Sequence, residues 1–320
     1  MTIHLSLFIY SALLIDYFLR VFFNTAPVIS RKFTLCFIAI FFMVRATDEY
    51  TRFTDIDLFL IVTEKGVFNG LMNFISMSSG LPEIGFVLLI SIFFIALYLF
   101  INIISNNGAD WDPLILALLV LSPILTSSNN FRQNIAILLA GIVFWLHHKG
   151  SLRISHSCAL ICLISLIFHY SCFILLVVLL VYLRPRLFPV ILASGILAMC
   201  TASILMDLLP YSLQKFFYML EYNGNILSTA DEIFDVLLVG ALWALAAKKN
   251  EFIYGAIIGL MFEMAFYEYS DFSSRLGVNF EIFETLLIFM FLKDGRNGKN
   301  FRIGKYVIGG LIVEQYFKLF

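Results

Sequence analysis

Apolar runs of helical length recur along this chain from residue 3 onward, and no segment between them is long enough to fold as a second domain. In hydrocarbon the backbone amides and carbonyls of such a run find partners only in each other, which makes each run a helix. The runs place spans near 3–20, 33–45, 84–104, 113–126, 133–148, 156–168, 171–183, 188–206, 232–247, 252–268 and 276–292, with a further apolar stretch at 306–320. Hydrophobic residues make up 61% and charged residues 13%, with a mean hydropathy of +0.94. A soluble globular domain, in which about a quarter of residues are charged, is excluded as the expectation. The expected fold is an all-α polytopic transmembrane helical bundle of about 11–12 spans, one integral membrane domain over 1–320 with outer loops at 46–83 and 207–231. The first run lacks a basic leader and a small-residue cleavage site, so it is expected to remain as a span.

Lysine and arginine set the orientation of such a bundle. One threading puts 14 of the 21 basic residues on the cytoplasmic side, among them Lys149, Arg153, Arg184, Arg186, Lys248 and Lys249. Arg45, Arg52, Lys65, Arg132, Lys215 and Arg275 then fall outside, as does the N-terminus.

This threading requires an unusual feature. Residues 156–183 are apolar, yet Arg153 and Arg184 flank them with basic charge at both ends. A single straight helix would invert everything after it. Two short helices meeting near His169 keep both flanks inside. Each has 13 residues, about 20 Å of helix against a hydrocarbon core of about 30 Å. The turn at His169 is then expected below the outer surface, where irregular backbone survives only inside protein or beside a watery cavity. The competing expectation is one long tilted helix with a core histidine.

Two arginines follow polar residues at the start of apolar runs. Ser127, Ser128, Asn129 and Asn130 precede Phe131-Arg132-Gln133; Asp271, Ser273 and Ser274 precede Arg275. Read as helix caps, these put both arginines in a first turn, where the helix dipole opposes a cation unless an anion is present. Free N–H groups beside a guanidinium bind phosphate, and two such sites on one side suit a diphosphate. The plain alternative is that both arginines snorkel to lipid phosphates. Asp48, three residues beyond Arg45, could orient a hydroxyl, act as a base, or pair with Arg45 or Arg52. Tyr211, Tyr218 and Tyr222 of the second outer loop suit sugar rings, but taken alone they are first expected to be interfacial anchors. The five cysteines all lie in apolar runs; Cys158 and Cys162 share a helical face without partner carboxylates, so core thiols are expected rather than a metal pair.

Taken in order, the elements Thr47-Asp48-Glu49-Tyr50, Glu83-Ile84-Gly85-Phe86, Phe131-Arg132-Gln133-Asn134-Ile135-Ala136, Leu166-Ile167-Phe168-His169-Tyr170-Ser171 and Ser274-Arg275-Leu276 resemble the EpsG-like branch of the Wzy-type polysaccharide polymerases, the bacterial O-antigen and capsule repeat-unit polymerases. The likeness runs from about Arg45 to Leu292, and its specificity lies in the order of short motifs. The chain departs from the family pattern where Glu49 separates Asp48 from Tyr50, where Phe53 stands in place of a second tyrosine, and where Ile84 replaces a proline.

The resemblance implies a membrane glycosyltransferase of the GT-C type in the bacterial inner membrane, its active site facing the periplasm. Such enzymes move a glycan from undecaprenyl diphosphate to the sugar end of another undecaprenyl-diphosphate-linked repeat unit, usually with inversion and without metal or other cofactor. On that footing Arg132 and Arg275, with Arg45 as a weaker third, hold the donor diphosphate. His169, whose imidazole type ordinarily titrates near ~6.5, is the expected general base, with Asp48 the runner-up. Tyr50, Arg52, Gln133 and Tyr222 are expected acceptor or sugar contacts. Lipid-linked glycans, membrane lipid and a chain-length regulator are the expected partners, and nucleic acid is not. Two other functions fit a cationic outer cavity: a lipid-linked oligosaccharide flippase or exporter, though no internal duplication is found, and an O-antigen ligase, which differs only in its acceptor.

Overall fold

The computed structural model describes residues 83–105, 131–197, 250–265 and 270–294, with shorter pieces at 11–16, 18–19 and 74–75 and single positions at 8, 33, 36, 40, 78 and 240. Among the described residues every regular element is helical. In chain order these are α1 (Glu83–Ile104), α2 (Phe131–His148), α3 (Ile154–Ile167), a 3₁₀ segment Tyr170–Leu175 running into α4 (Leu176–Leu183), a second 3₁₀ turn Pro185–Leu187, α5 (Glu251–Ala265) and α6 (Ser270–Asp294). Among the described residues one helical stretch, Val87–Ile104, is long and apolar enough to cross a bilayer; a second qualifies if Tyr170–Leu183 and Pro185–Leu197, bent by 113° at Arg184, form one span. Ile154–Ile167 and Glu251–Phe262 are shorter apolar helices.

Helix α2 is the centre of the assembly. It packs against α1, α3 and α6. Ile135, Ala136, Ile137, Leu138, Ala140, Val143, Phe144 and Trp145 are all buried, so its apolar residues are covered around the whole circumference. Small residues permit this density. Gly141 lies where a methyl group would press on Ile282 of α6 and Phe100 of α1. The same device joins α5 to α6: Gly255 and Gly259, one turn apart, face Phe283 and Phe280, whose rings fill the space a Cβ would need. A small-x-x-x-small face of this kind lets two helix backbones approach closely. Phe144 meets Phe283 edge-on at 4.6 Å between ring centroids, which carries the aromatic packing from α2 into the α5–α6 pair.

Residues 154–183 form a hairpin of two short helices, and the single long helix is excluded. The amide of Phe168 still bonds Ile164 within α3, but His169 takes an extended conformation (φ −154°, ψ 115°) and stops the helix. The chain resumes as the 3₁₀ segment, with the Cys172 amide bonded to the His169 carbonyl at 3.1 Å. Both outer ends of the hairpin lie at the C-terminal end of α2. His147 Nδ1 is 3.1 Å from the Leu152 carbonyl just before α3, and the His147 ring meets Tyr182 near the end of α4 edge-on at 5.4 Å. Arg153 and Arg184 are therefore at one end, as the basic flanks required.

The start of α6 differs from its expected place. The helix begins at Ser270, so Asp271, Ser273 and Ser274 are inside it rather than capping it, and Arg275 stands in its second turn. Asp271 falls in the first turn, where a carboxylate is favoured by the helix dipole, and this supplies a physical reason for the earlier start. A polar cluster before an apolar run reads as a cap whether it lies outside the helix or within its first turn.

Large apolar side chains remain on outward faces: Val87, Ile95, Leu163, Leu166, Leu180, Leu183, Val190 and Leu197 are all exposed. They lie on α1, α3, α4 and the stretch Pro185–Leu197.

Candidate functional site

Three of the sequence elements meet at one side chain. Asn279, in the third turn of α6, is fully buried. Its Oδ1 accepts from Gln133 Nε2 at 3.3 Å, from Ser171 Oγ at 3.2 Å and from the Cys172 thiol at 3.4 Å. A carbonyl oxygen has two lone pairs, so three donors around it share them, and the contacts from the amide nitrogen and the hydroxyl are correspondingly long. Gln133 belongs to the first turn of α2, Ser171 and Cys172 to the 3₁₀ segment after the break, and Asn279 to the helix that carries Arg275.

The local reasons for this convergence are plain. Gln133, Asn134 and Asn279 are buried amides in an apolar bundle, and such groups must find partners. The break at His169 frees backbone and turns Ser171 and Cys172 toward α6, to which the 3₁₀ segment packs together with α2 and α3.

His169 sits at the edge of this cluster. Its Nδ1 is 2.6 Å from Ser171 Oγ, and its ring stacks on Tyr170 at 5.2 Å between centroids with 10° between planes. Tyr170 is 72% exposed, so the stacked pair forms a surface step above a buried polar floor. Arg132, half-buried in the first turn of α2, lies within electrostatic range of the Tyr170 phenol. The imidazole stacks on this tyrosine, and the guanidinium lies within electrostatic range of it.

The expected site residues fall into three groups. Arg132, Gln133 and His169 are brought to the same end of the helices. Gln133 is not the open sugar contact expected of it: only 1% of it is exposed, and its amide donates to Asn279. Arg275 stands one helical turn before Asn279 in α6. Arg45, Asp48, Tyr50, Arg52 and Tyr222 lie outside the described residues, as do nearly all of loop 46–83 and the whole of loop 207–231. Asn279 was missed; its signal was a lone amide inside the apolar run 276–292.

The opposite end of α2 carries a second polar layer. His148 Nδ1 lies 3.1 Å from Glu251 Oε1, and Lys149 Nζ sits 4.9 Å above the Trp145 ring. From Gln133 to His147 the helix rises roughly 21 Å, and buried apolar residues fill the interval.

Chemically, the Arg132–Tyr170–His169 end offers a cation for an anionic group, a half-buried imidazole for proton transfer, and an exposed aromatic face. Comparison with family models, with curated protein sequences and with solved structures gives no match.

Proposed function

We propose that this chain is a polytopic membrane glycosyltransferase that polymerises undecaprenyl-diphosphate-linked oligosaccharide repeat units, a Wzy-type polymerase of GT-C character acting at the periplasmic face of a bacterial inner membrane. The observation that carries the reading is the meeting of Gln133 and Ser171 at Asn279, which lies 146 and 108 residues from them along the chain. It draws together the helix start bearing Arg132, the break bearing His169 and the helix bearing Arg275, the elements on which the family resemblance rests.

Two further features support a membrane setting. Exposed leucines, valines and isoleucines on the outer helical faces suit lipid. The two polar layers on α2 are roughly 21 Å apart, less than a hydrocarbon core of about 30 Å. A cluster at Asn279 would then lie beneath the outer surface, in a hollow reached from the periplasm.

In this reading Arg132 and Arg275 bind the donor diphosphate. An acceptor hydroxyl oxygen attacks the anomeric carbon, the bond from that carbon to the phosphate oxygen breaks, and undecaprenyl diphosphate departs. The hydroxyl proton passes to His169. The arginines stabilise the charge that grows on the leaving group, often the largest single contribution to such a barrier. Tyr170 offers its exposed ring to a sugar face.

The test is polymerisation of lipid-linked repeat units by purified protein in detergent, where translocation is undefined. Wild type is expected to produce chains of more than one repeat, and Arg132→Ala and Arg275→Ala to leave single units on the carrier while remaining folded. Either variant making chains of normal length removes the diphosphate assignment. Binding without elongation in the wild type would point to a flippase instead.

A further inference from the structure

The base of the hairpin gathers charges that lie far apart along the chain. Arg153 precedes α3, and Arg184 and Arg186 follow α4, yet both ends of the hairpin are fastened to one residue of α2. His147 Nδ1 lies 3.1 Å from the Leu152 carbonyl, and its ring meets Tyr182 at 5.4 Å between centroids. Lys149 stands two residues further along. Lys149, Arg153, Arg184 and Arg186 are all exposed, as is His156 in the first turn of α3.

These cations call for counter-charge, and the described residues supply little. Among them none of the three arginine side chains has an ion pair or a hydrogen bond. Glu251, a carboxylate at the same end, is 1% exposed and lies 3.1 Å from His148. Lys149 has the face of Trp145 at 4.9 Å. Arg184 caps the C-terminus of α4, whose dipole favours a cation. Arg153 has no such compensation: it is the N-cap of α3, where the dipole opposes positive charge.

The surface beside these charges is apolar. Tyr182 and Leu183 precede Arg184, Val190 follows Arg186 by about one helical turn, and all three are exposed. The chain bends by 113° at Arg184, and beyond the bend Phe188 packs on Tyr254 of α5 at 5.1 Å. Arg184 and Arg186 therefore stand at a corner with apolar side chains on either side. A free phosphate or an acidic peptide would meet the charges and leave the apolar flanks in water. A phospholipid carries both halves: a phosphate for the guanidinium groups and acyl chains for the flanks.

We propose that the base of the hairpin is a binding site for anionic phospholipid, with phosphate oxygens held by Arg153, Arg184 and Arg186 and acyl chains running past Leu183 and Val190. The inference rests on the membrane setting in the reading above and not on its chemistry. The site lies at the end of α2 remote from Gln133, so it is separate from the surface assigned to the donor diphosphate. A lipid headgroup bridging Arg153 on one arm and Arg184 on the other ties together the two outer ends of the hairpin.

The experiment measures lipid binding to the full-length protein in neutral detergent by native mass spectrometry, with phosphatidylglycerol or phosphatidylcholine of the same acyl chains. Wild type is expected to bind phosphatidylglycerol at least about tenfold more tightly, from a gain of roughly fivefold per cation near an anionic surface. Arg153→Gln, Arg184→Gln and Arg186→Gln combined are expected to abolish the preference, and the three corresponding lysine substitutions to keep most of it. Arg186→Gln alone, at an exposed position, is expected to cost about fivefold, and it decides the matter should the triple variant fail to fold. An unaltered preference in the glutamine variants overturns the site. Inorganic phosphate displacing the lipid at equal concentration identifies a free-anion site, and a hexaglutamate peptide binding as tightly identifies an acidic partner; either result overturns the lipid assignment. Failure of the membrane setting shows itself separately, as a chain recovered in the soluble fraction without detergent. Normal chains from Arg132→Ala overturn the diphosphate assignment alone.

Discussion

His148 Nδ1 and Glu251 Oε1 lie 3.1 Å apart and join the last residue of α2 to the first residue of α5. The carboxylate is buried, while the imidazole is 23% exposed. Glu251 also stands where the free N–H groups and dipole of α5 favour negative charge. Phe252 packs on the His148 ring at 5.0 Å and on Trp145 at 6.2 Å, so the polar link is surrounded by aromatic faces. The contact fixes the end of the bundle remote from His169.

The two partners of this link are not equivalent to mutation. His148→Ala leaves a buried carboxylate without its imidazole and is expected to destabilise the protein by roughly 1–3 kcal/mol, the penalty for stranding a buried polar group. Glu251→Gln keeps an acceptor oxygen beside His148 and should cost less, about 1 kcal/mol or under. Thermal unfolding in detergent gives the order of the midpoints: wild type, then Glu251→Gln, then His148→Ala. Reversal of the two variants would mean that the helix N-terminus alone satisfies Glu251.

The α5–α6 contact makes a sharper demand. Gly255 and Gly259 face Phe283 and Phe280 with no room for a β-carbon. Overpacking a close contact typically costs about 1–3 kcal/mol. Gly255→Leu is expected to exceed that range, because the obstacle is a ring already wedged against Phe144. Gly255→Leu combined with Phe283→Ala should recover part of the loss, measured by the same unfolding midpoint. An additive double variant would show that ring and glycine do not press on each other.

Much of this architecture is written in the sequence. Apolar runs locate α1 to α6 because a buried helix needs little else, and the basic residues on both sides of 156–183 already require the break that His169 makes. The site was only partly legible. Gln133 stood out as a polar residue beside Arg132, but whether it faces outward or toward α6 depends on which helix packs there, which is information about tertiary contact. Asn279 lies in Gly-Val-Asn-Phe-Glu, a stretch with nothing to distinguish a hub from an ordinary buried amide. The start of α6 was misplaced for a local reason: Asp271, Ser273 and Ser274 have the chemistry of caps, and the preference of Asp271 for a first turn is equally well met one position inside the helix.

Arg132 and Arg275 are expected to tolerate lysine poorly. A guanidinium grips a phosphate through two parallel N–H bonds, while an ammonium acts as a point charge. Arg132→Lys should therefore retain a measurable fraction of chain elongation and Arg132→Ala none above background, with a loss on the order of 10²–10³-fold for removal of a group that stabilises the leaving charge. Rates of single-repeat addition on synthetic lipid-linked substrates provide the measure. Equal rates for Lys and Ala would indicate that charge at this position is irrelevant.

Tyr170 and Arg153 test the hairpin itself. If both short helices start and finish on one side, residues next to Arg153 and Arg184 share a compartment and Tyr170 faces the other. Single cysteines at Ser151, Arg186 and Tyr170, introduced into a background with the native thiols replaced and Cys172→Ser retaining a hydrogen-bond donor to Asn279, can be labelled with a membrane-impermeant maleimide. In intact spheroplasts Tyr170→Cys is expected to react, since its parent side chain is largely exposed, while Ser151→Cys and Arg186→Cys react only after the membrane is opened. Labelling of Ser151→Cys and Arg186→Cys from opposite sides cannot be reconciled with a break at His169, because a continuous helix over 154–183 would separate its ends by roughly 45 Å, a full bilayer apart.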